Sequence, residues 1–127
     1  MTQQTVRLLL LDERKRMLLV KKTTTQAWHW PGGKRKPREK GVAALQREVL
    51  EETGLKVTDL TLIHKETLPE ETIYCYTGAC KNKRVKKPDG KEIDAICWRS
   101  LTGANKLPLT ETQKRLLQNL TVIALFL

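Results

Sequence analysis

Apolar and polar positions fall along the chain in runs that mark out its elements. Val6 to Leu11 and Met17 to Lys22 are short apolar runs. The polar stretch Asp12-Glu13-Arg14-Lys15-Arg16 between them reads as the turn of a strand hairpin. Trp28 to Pro37, rich in Gly, Pro and Lys, reads as a loop. Gly41 to Thr53 holds Ala43, Ala44, Leu45, Gln46, Arg47, Glu48, Leu50, Glu51 and Glu52, nearly all strong helix formers. Val42, Leu45 and Val49 recur at helical spacing and predict the buried stripe of that helix. Gly54 stands where a left-handed helix cap belongs, and Leu55 opens the return to an apolar strand. Further strands are predicted over Val57 to His64, Thr72 to Ala79 and Ile93 to Arg99, with a basic loop, Lys81 to Lys91, between the last two. A closing helix over Thr110 to Asn119 offers Leu116, Leu117 and Leu120 to the core, and for Thr121 to Leu127 helix, strand and oligomer contact all stay open. This order of elements predicts a mixed sheet covered by helices, an α/β (α+β) class.

Composition narrows the class. With 127 residues, no repeat and no linker, the chain is expected to form one domain over 1–127 with a core of its own. At 39% hydrophobic and 30% charged residues it is patterned as a globular protein, well away from disorder. The run Leu8 to Leu11 is too short for a signal peptide and lacks a basic region before it, and Val122 to Leu127 is too short to span a bilayer. A cytoplasmic protein without a membrane partner is expected. Cys75, Cys80 and Cys97 are odd in number and without Cys-x-x-Cys spacing, so they are expected to be reduced thiols that pack as small hydrophobes. His29 and His64 stand alone, with no partner at metal-ligand spacing. A net charge of +10 suits a polyanionic partner and equally suits a solubilising surface.

One helix carries a pattern that a structural helix has reason to avoid. Glu48, Glu51 and Glu52 stand at i, i+3 and i+4, which places three carboxylates on one face within about a turn. Like charges at that spacing cost a few tenths of a kcal/mol per pair, roughly. Such a face is either simply solvated or holds a hard cation, and magnesium takes oxygen ligands of this kind.

The residues around the helix decide between the two. Gly33 is followed by Glu39, then by Arg47-Glu48-Val49, Glu51-Glu52, Gly54 and Leu55. This series resembles the Nudix box, G-x5-E-x7-R-E-U-x-E-E-x-G-U with U a bulky aliphatic residue, and departs from it nowhere. Seven identities at roughly one in fifteen each arise by chance about once in 10⁸ trials. Trp30-Pro31-Gly32-Gly33-Lys34 resembles the lead-in of the family's MutT-type branch, and Gly90-Lys91-Glu92 with Trp98-Arg99-Ser100-Leu101 resembles its late glutamate loop and tryptophan strand.

The resemblance implies the Nudix fold, an α/β/α sandwich with a mixed central sheet in which the box, residues 33–55, forms a loop-helix-loop. It implies Mg²⁺, with Mn²⁺ as a substitute, held by the Gly32 carbonyl, Glu48, Glu51, Glu52 and, from its loop, Glu92. For Arg47 two roles stand side by side, pairing with Glu51 across a turn and contacting phosphate; the first is favoured. Glu39 either pairs with Arg47, assists catalysis or supports the helix dipole. The general base is Glu48, Glu92 or Glu39. The implied reaction is attack by a metal-activated water on one phosphorus of a diphosphate bridge.

Substrate choice lies outside the box. Trp28, Trp30, Tyr74 and Tyr76 offer faces to a base or pack in the core, and Lys34 is a further substrate-binding candidate. Pro69 lies near, but off, the position that marks ADP-ribose-cleaving relatives, and Tyr74 lies off the one typical of dinucleoside-polyphosphate relatives. Leu109-Thr110-Glu111 lacks the asparagine that oxidised-guanine-cleaving relatives place before the last helix, although Asn105 is close by. The expected substrate is a nucleoside triphosphate or nucleotide sugar, for a monomer or homodimer. The basic loop with Lys81, Lys83, Arg84, Lys86, Lys87 and Lys91 offers an RNA 5′ end or a long polyphosphate as the alternative within the same chemistry. A binding module without turnover is the alternative of another class, and the intact acidic cluster speaks against it.

Overall fold

The computed structural model describes residues 2–123. Its elements are β1 (Gln3–Leu9), β2 (Met17–Lys22), β3 (Trp28–His29), β4 (Gly32–Lys34), α1 (Gly41–Thr53), β5 (Thr58–Thr67), β6 (Glu71–Ala79), β7 (Ile93–Arg99), α2 (Leu101–Ala104) and α3 (Glu111–Ile123). They fall into two compact units, one formed by the chain through Leu10 with Pro31–Lys87, the other by Leu11–Trp30 with the chain from Pro88 onward.

The first unit is a four-stranded mixed sheet in the order β4-β1-β6-β5. β1 runs parallel to β6, pairing Val6 with Tyr74 and Arg7 with Cys75. On its other edge β1 is antiparallel to β4, with Thr5, Val6 and Arg7 opposite Lys34, Gly33 and Gly32. α1 packs on β4 and β1. Val6, Leu8, Leu9, Leu45, Val49, Leu55, Val57 and Ile73 are buried and form this unit's core. The α1 bounds agree with the sequence reading, and Gly54 caps the helix at φ 77° with its N–H donating to the Leu50 carbonyl. The stripe needs correction. Val42 is 41% exposed, whereas Ala44, Leu45, Val49, Glu52 and Thr53 are the buried residues of α1.

The second unit holds a three-stranded antiparallel sheet, β3-β2-β7. Met17, Leu18, Leu19 and Val20 are all buried, which explains an apolar run without alternation. Leu109, Leu116 and Leu117 join that core, while the side chain of Leu120 lies outside the described residues. α3 continues to Ile123, so the first part of the apolar tail extends the helix; residues 124–127 lie outside the described range. A short α2, absent from the sequence reading, is capped by Ser100, whose Oγ accepts from the Gly103 N–H. Among the described residues no helix is long and apolar enough to cross a membrane.

Two expectations fail for the same reason. The predicted hairpin has its turn, with Asp12 accepting from the Arg14 and Arg16 N–H groups, but β1 and β2 join different sheets. Of the pairing there remain the bridge between Leu11 and Met17 and the bond from the Asp12 N–H to the Arg16 carbonyl. Likewise Trp28 to Pro37 carries β3 and β4 rather than loop alone. A partner strand elsewhere in the chain decides each case, and local composition does not register it.

Candidate active site

The two glycines ahead of the box helix are placed by β1. Gly32 sits at φ 145°, and a Cβ there would lie 1.9 Å from the Val6 carbonyl oxygen, so no other residue fits without displacing β1. The Gly32 N–H donates to Oε1 of Glu52 at 2.8 Å. A Cβ on Gly33 would come within 2.5–2.7 Å of the Glu48 carboxylate. Two of the three helix carboxylates are thereby seated on the bare backbone of the diglycine.

Arg47 ties this arrangement together. Its Nε and Nη2 donate to the two carboxylate oxygens of Glu39 at 2.8 and 3.0 Å, a bidentate pair. Its Nη1 donates to Glu48 at 3.0 Å and stands 3.6 Å from Glu51, and Nη2 also reaches the Lys34 carbonyl at 3.2 Å. The guanidinium of Arg47, joined by the backbone N–H of Lys36, holds the Glu39 carboxyl down at about 2. Glu39 in turn raises Arg47 above its ordinary value. The structure thus gives Arg47 a principal partner, Glu39, that differs from the favoured Glu51. Glu39 stands one residue before the N-cap Lys40, just ahead of the first turn of α1, which itself contains no acid.

The three acids do not share one exposed face as their spacing suggests. Glu52 is 6% exposed, Glu48 turns to Arg47, and the Glu51 side chain is 55% exposed. Among the described residues no three acid, histidine or cysteine side chains converge on one point. The donor set nevertheless suits a hard divalent ion. It offers carboxylate oxygens and backbone carbonyls without sulfur or imidazole, beside a glycine face that a single methyl group would fill. Glu92 belongs to the second unit and is exposed. Its backbone is fixed, the N–H donating to Asp89 and the carbonyl accepting from Thr23.

The substrate candidates separate. Trp30 is fully buried, with its indole N–H directed to Met17 Sδ at 3.3 Å; it packs as core and offers no face to a base. Trp28 and Tyr74 are half-buried, and each has a lysine ammonium over its ring, Lys21 at 5.7 Å and Lys65 at 5.6 Å. The Tyr76 hydroxyl reaches the start of α1, 2.8 Å from where a Cβ on Gly41 would stand, and burial raises its pKa. Lys34 is exposed on β4.

Two polar residues, one in each unit, escaped the sequence reading. Arg7 lies on β1 directly opposite Gly32, and burial lowers its guanidinium from the usual value against the opposing pull of Glu52, Glu71 and Glu48. A lone charge inside the apolar run from Val6 was the available signal. Gln113, on α3, accepts from the Trp30 N–H at 2.8 Å and is 1% exposed. No local pattern marks it.

The chain matches the NUDIX domain family model over residues 1–120. It is 41% identical over 103 residues to a Bacillus subtilis (strain 168) protein with the provisional name 8-oxo-dGTP diphosphatase, which covers 80% of this chain and 66% of that protein. It is 34% identical over 101 residues to the mRNA-decapping enzyme subunit 2 of Arabidopsis thaliana, over 73% of this chain and 26% of that protein. The chain therefore spans about two thirds and about a quarter of these relatives' lengths. Among solved structures, a MutT NUDIX hydrolase from Burkholderia pseudomallei superimposes with a TM-score of 0.81 at 21% identity, covering 93% of this chain and 97% of the other. A NUDIX-family hydrolase from Clostridium perfringens gives 0.74 at 17% identity, over 94% and 95%. A box complete at every position, a family match across nearly the whole chain and a shared fold lead to one assignment: this chain is a member of the Nudix family with a MutT-like fold.

Proposed function

We propose that the chain is a magnesium-dependent pyrophosphohydrolase acting on a nucleoside diphosphate linked to another group, with a nucleoside triphosphate or nucleotide sugar as the substrate class. The observation that carries this reading is the seating of Glu48 and Glu52 against Gly33 and Gly32, which leaves a side-chain-free backbone beside two carboxylates. A divalent ion bound there supplies water activation and neutralises phosphate charge. In this reading Glu48, Glu51 and Glu52, with the Gly32 carbonyl, hold the ion. Arg47, clamped by Glu39, keeps Glu48 from swinging away, and Glu48 or Glu92 accepts the proton. Glu39, committed to two bonds with Arg47, serves as a brace rather than a base. Trp28, Tyr74 and Lys34 remain the substrate contacts of the proposal, and Trp30 is withdrawn from it.

The Bacillus relative's name brings 8-oxo-dGTP into the substrate class, and the Arabidopsis relative's name brings in capped mRNA, which together with the basic loop makes an RNA 5′ end the second reading. The deciding experiment incubates the protein and Mg²⁺ with nucleoside triphosphates, 8-oxo-dGTP, nucleotide sugars, dinucleoside polyphosphates and 5′-triphosphate RNA, reading released phosphate or pyrophosphate. Turnover of at least one, lowered by roughly 10²- to 10³-fold in Glu52→Gln, is expected, the scale for removing one electrostatic stabiliser. Tight nucleotide binding with no turnover of any of these would overturn the proposal in favour of a binding module.

A further inference from the structure

The stretch after β6 is basic, and its position is fixed by bonds to the far end of the box helix. The Lys86 N–H donates to the Thr53 carbonyl at 2.9 Å, and the Lys86 stem lies over Gly54, 3.2 Å from where a Cβ would stand. Farther back, the Cys80 thiol donates to the Asn82 carbonyl, Asn82 Oδ1 accepts from the Arg84 N–H, and Lys83 Nζ donates to the Cys80 carbonyl. The segment borders a cleft of about 480 Å³ lined by Gly54, Lys56, Thr58, Cys80, Lys81, Asn82 and Arg84.

Three of those seven residues are cations and none is an acid. Lys56, Lys81 and Arg84 are exposed, and among the described residues none stands in an ion pair. One cation near a helix C-terminus answers the helix dipole. Three around one concavity exceed that need and repel each other. The remaining lining, a glycine, a threonine, a buried thiol and an amide, is uncharged.

We propose that this cleft binds the phosphodiester backbone of single-stranded nucleic acid. Cations at the rim meet successive phosphates, and the neutral lining accepts the sugars between them. A concave site selects a strand over a flat anionic membrane. Among the described residues no aromatic side chain lines the cleft, so a stacking platform is missing from them and binding is governed by phosphate charge, with little base preference. The inference uses none of the residues proposed to hold the metal ion and cuts no bond, although Lys81 and Arg84 belong to the basic loop that the sequence also offers to an RNA 5′ end.

The test is fluorescence anisotropy of the whole protein with a 12-nucleotide single-stranded RNA bearing a 5′ hydroxyl, which contains no anhydride to hydrolyse. The triple variant Lys56→Gln, Lys81→Gln, Arg84→Gln is expected to bind roughly tenfold more weakly, with the slope of log K against log salt smaller by about 2. The charge-matched control Arg14→Gln, Lys106→Gln, Lys114→Gln, which alters exposed residues of the second unit, is expected to bind within about twofold of the unaltered protein. A charge-neutral morpholino strand of the same sequence should fail to bind. Equal loss in the two triple variants, tight binding of the neutral strand, or no binding of the RNA would each overturn the cleft assignment and leave the hydrolase reading untouched. Circular dichroism and a thermal melt establish that each variant is folded.

Discussion

At the scale of the residue, the two glycines divide the labour between fold and site, and their substitutions should separate accordingly. A Cβ on Gly32 meets a backbone oxygen of β1 at 1.9 Å and also strains a residue at φ 145°. Nothing there can yield cheaply, so Gly32→Ala is expected to destabilise by at least about 1–3 kcal/mol, the scale of one forced backbone conformation. A Cβ on Gly33 meets only the far end of the Glu48 side chain. That carboxylate can move. Gly33→Ala should therefore melt within a few degrees of the unaltered protein yet turn over substrate at least roughly tenfold more slowly, because it displaces Glu48. Urea titration and turnover on the best substrate of the screen check both. Unaltered turnover in Gly33→Ala would remove Glu48 from the reacting centre. The sequence made both glycines legible as motif positions, because the box fixes Gly33 and the lead-in fixes Gly32. What approaches them was not legible. The neighbour of Gly32 is a strand more than twenty residues away in the chain, and Arg7 on that strand comes beside Glu52 through register alone.

At the scale of the element, α1 shows how far periodicity reaches. Helix bounds and cap follow from local propensity and a glycine at the C-terminus, both of which act within a few residues. The buried face depends on which neighbour the helix meets. α1 lies on β4 and β1 with Leu45, Val49 and Glu52 inward, so its buried line continues through an acid. A hydrophobic count overlooks that acid and recruits Val42 in its place. Leu45→Ala should accordingly cost about 2–5 kcal/mol, the range for emptying a buried leucine site. Val42→Ala at 41% exposure should stay within about 0.5 kcal/mol. Equal costs for the two in urea melts would restore the original stripe. The strands repeat the lesson. β6 and β7 were legible nearly to the residue as apolar runs between turn signals. The β1–β2 hairpin was not, since its turn is real but the hydrogen-bonding edges of β1 are taken by β4 and β6.

At the scale of the whole molecule, charge sets how stability responds to acid. The net charge is +10 at neutral pH, so every carboxylate that gains a proton adds to an existing excess of positive charge. Several carboxylates also hold their charge more firmly in the folded chain than they would when unfolded. Glu39 is held at about 2 by Arg47. Asp94 is lowered by hydrogen bonds from Gln26 and Thr23. Asp12 is lowered because bonds from the Arg16 and Arg14 backbone and the Arg16 side chain outweigh its partial desolvation. A depressed folded pKa means that the unfolded chain binds protons first as pH falls. The stabilisation from Glu39 is therefore complete above its ordinary 4.5 and is lost progressively as pH drops towards 2. Self-repulsion acts in the same direction, so the melting temperature should fall steadily between about pH 5 and 2, with no acid optimum. Glu39→Gln retains the side chain's size but cannot charge, so its melting temperature should lie below that of the unaltered protein at pH 6 and converge with it near pH 2. Two parallel curves across that range would show that the Arg47–Glu39 clamp contributes nothing to stability, and the bracing of Glu48 by Arg47 would then have to rest on the Glu48 bond alone.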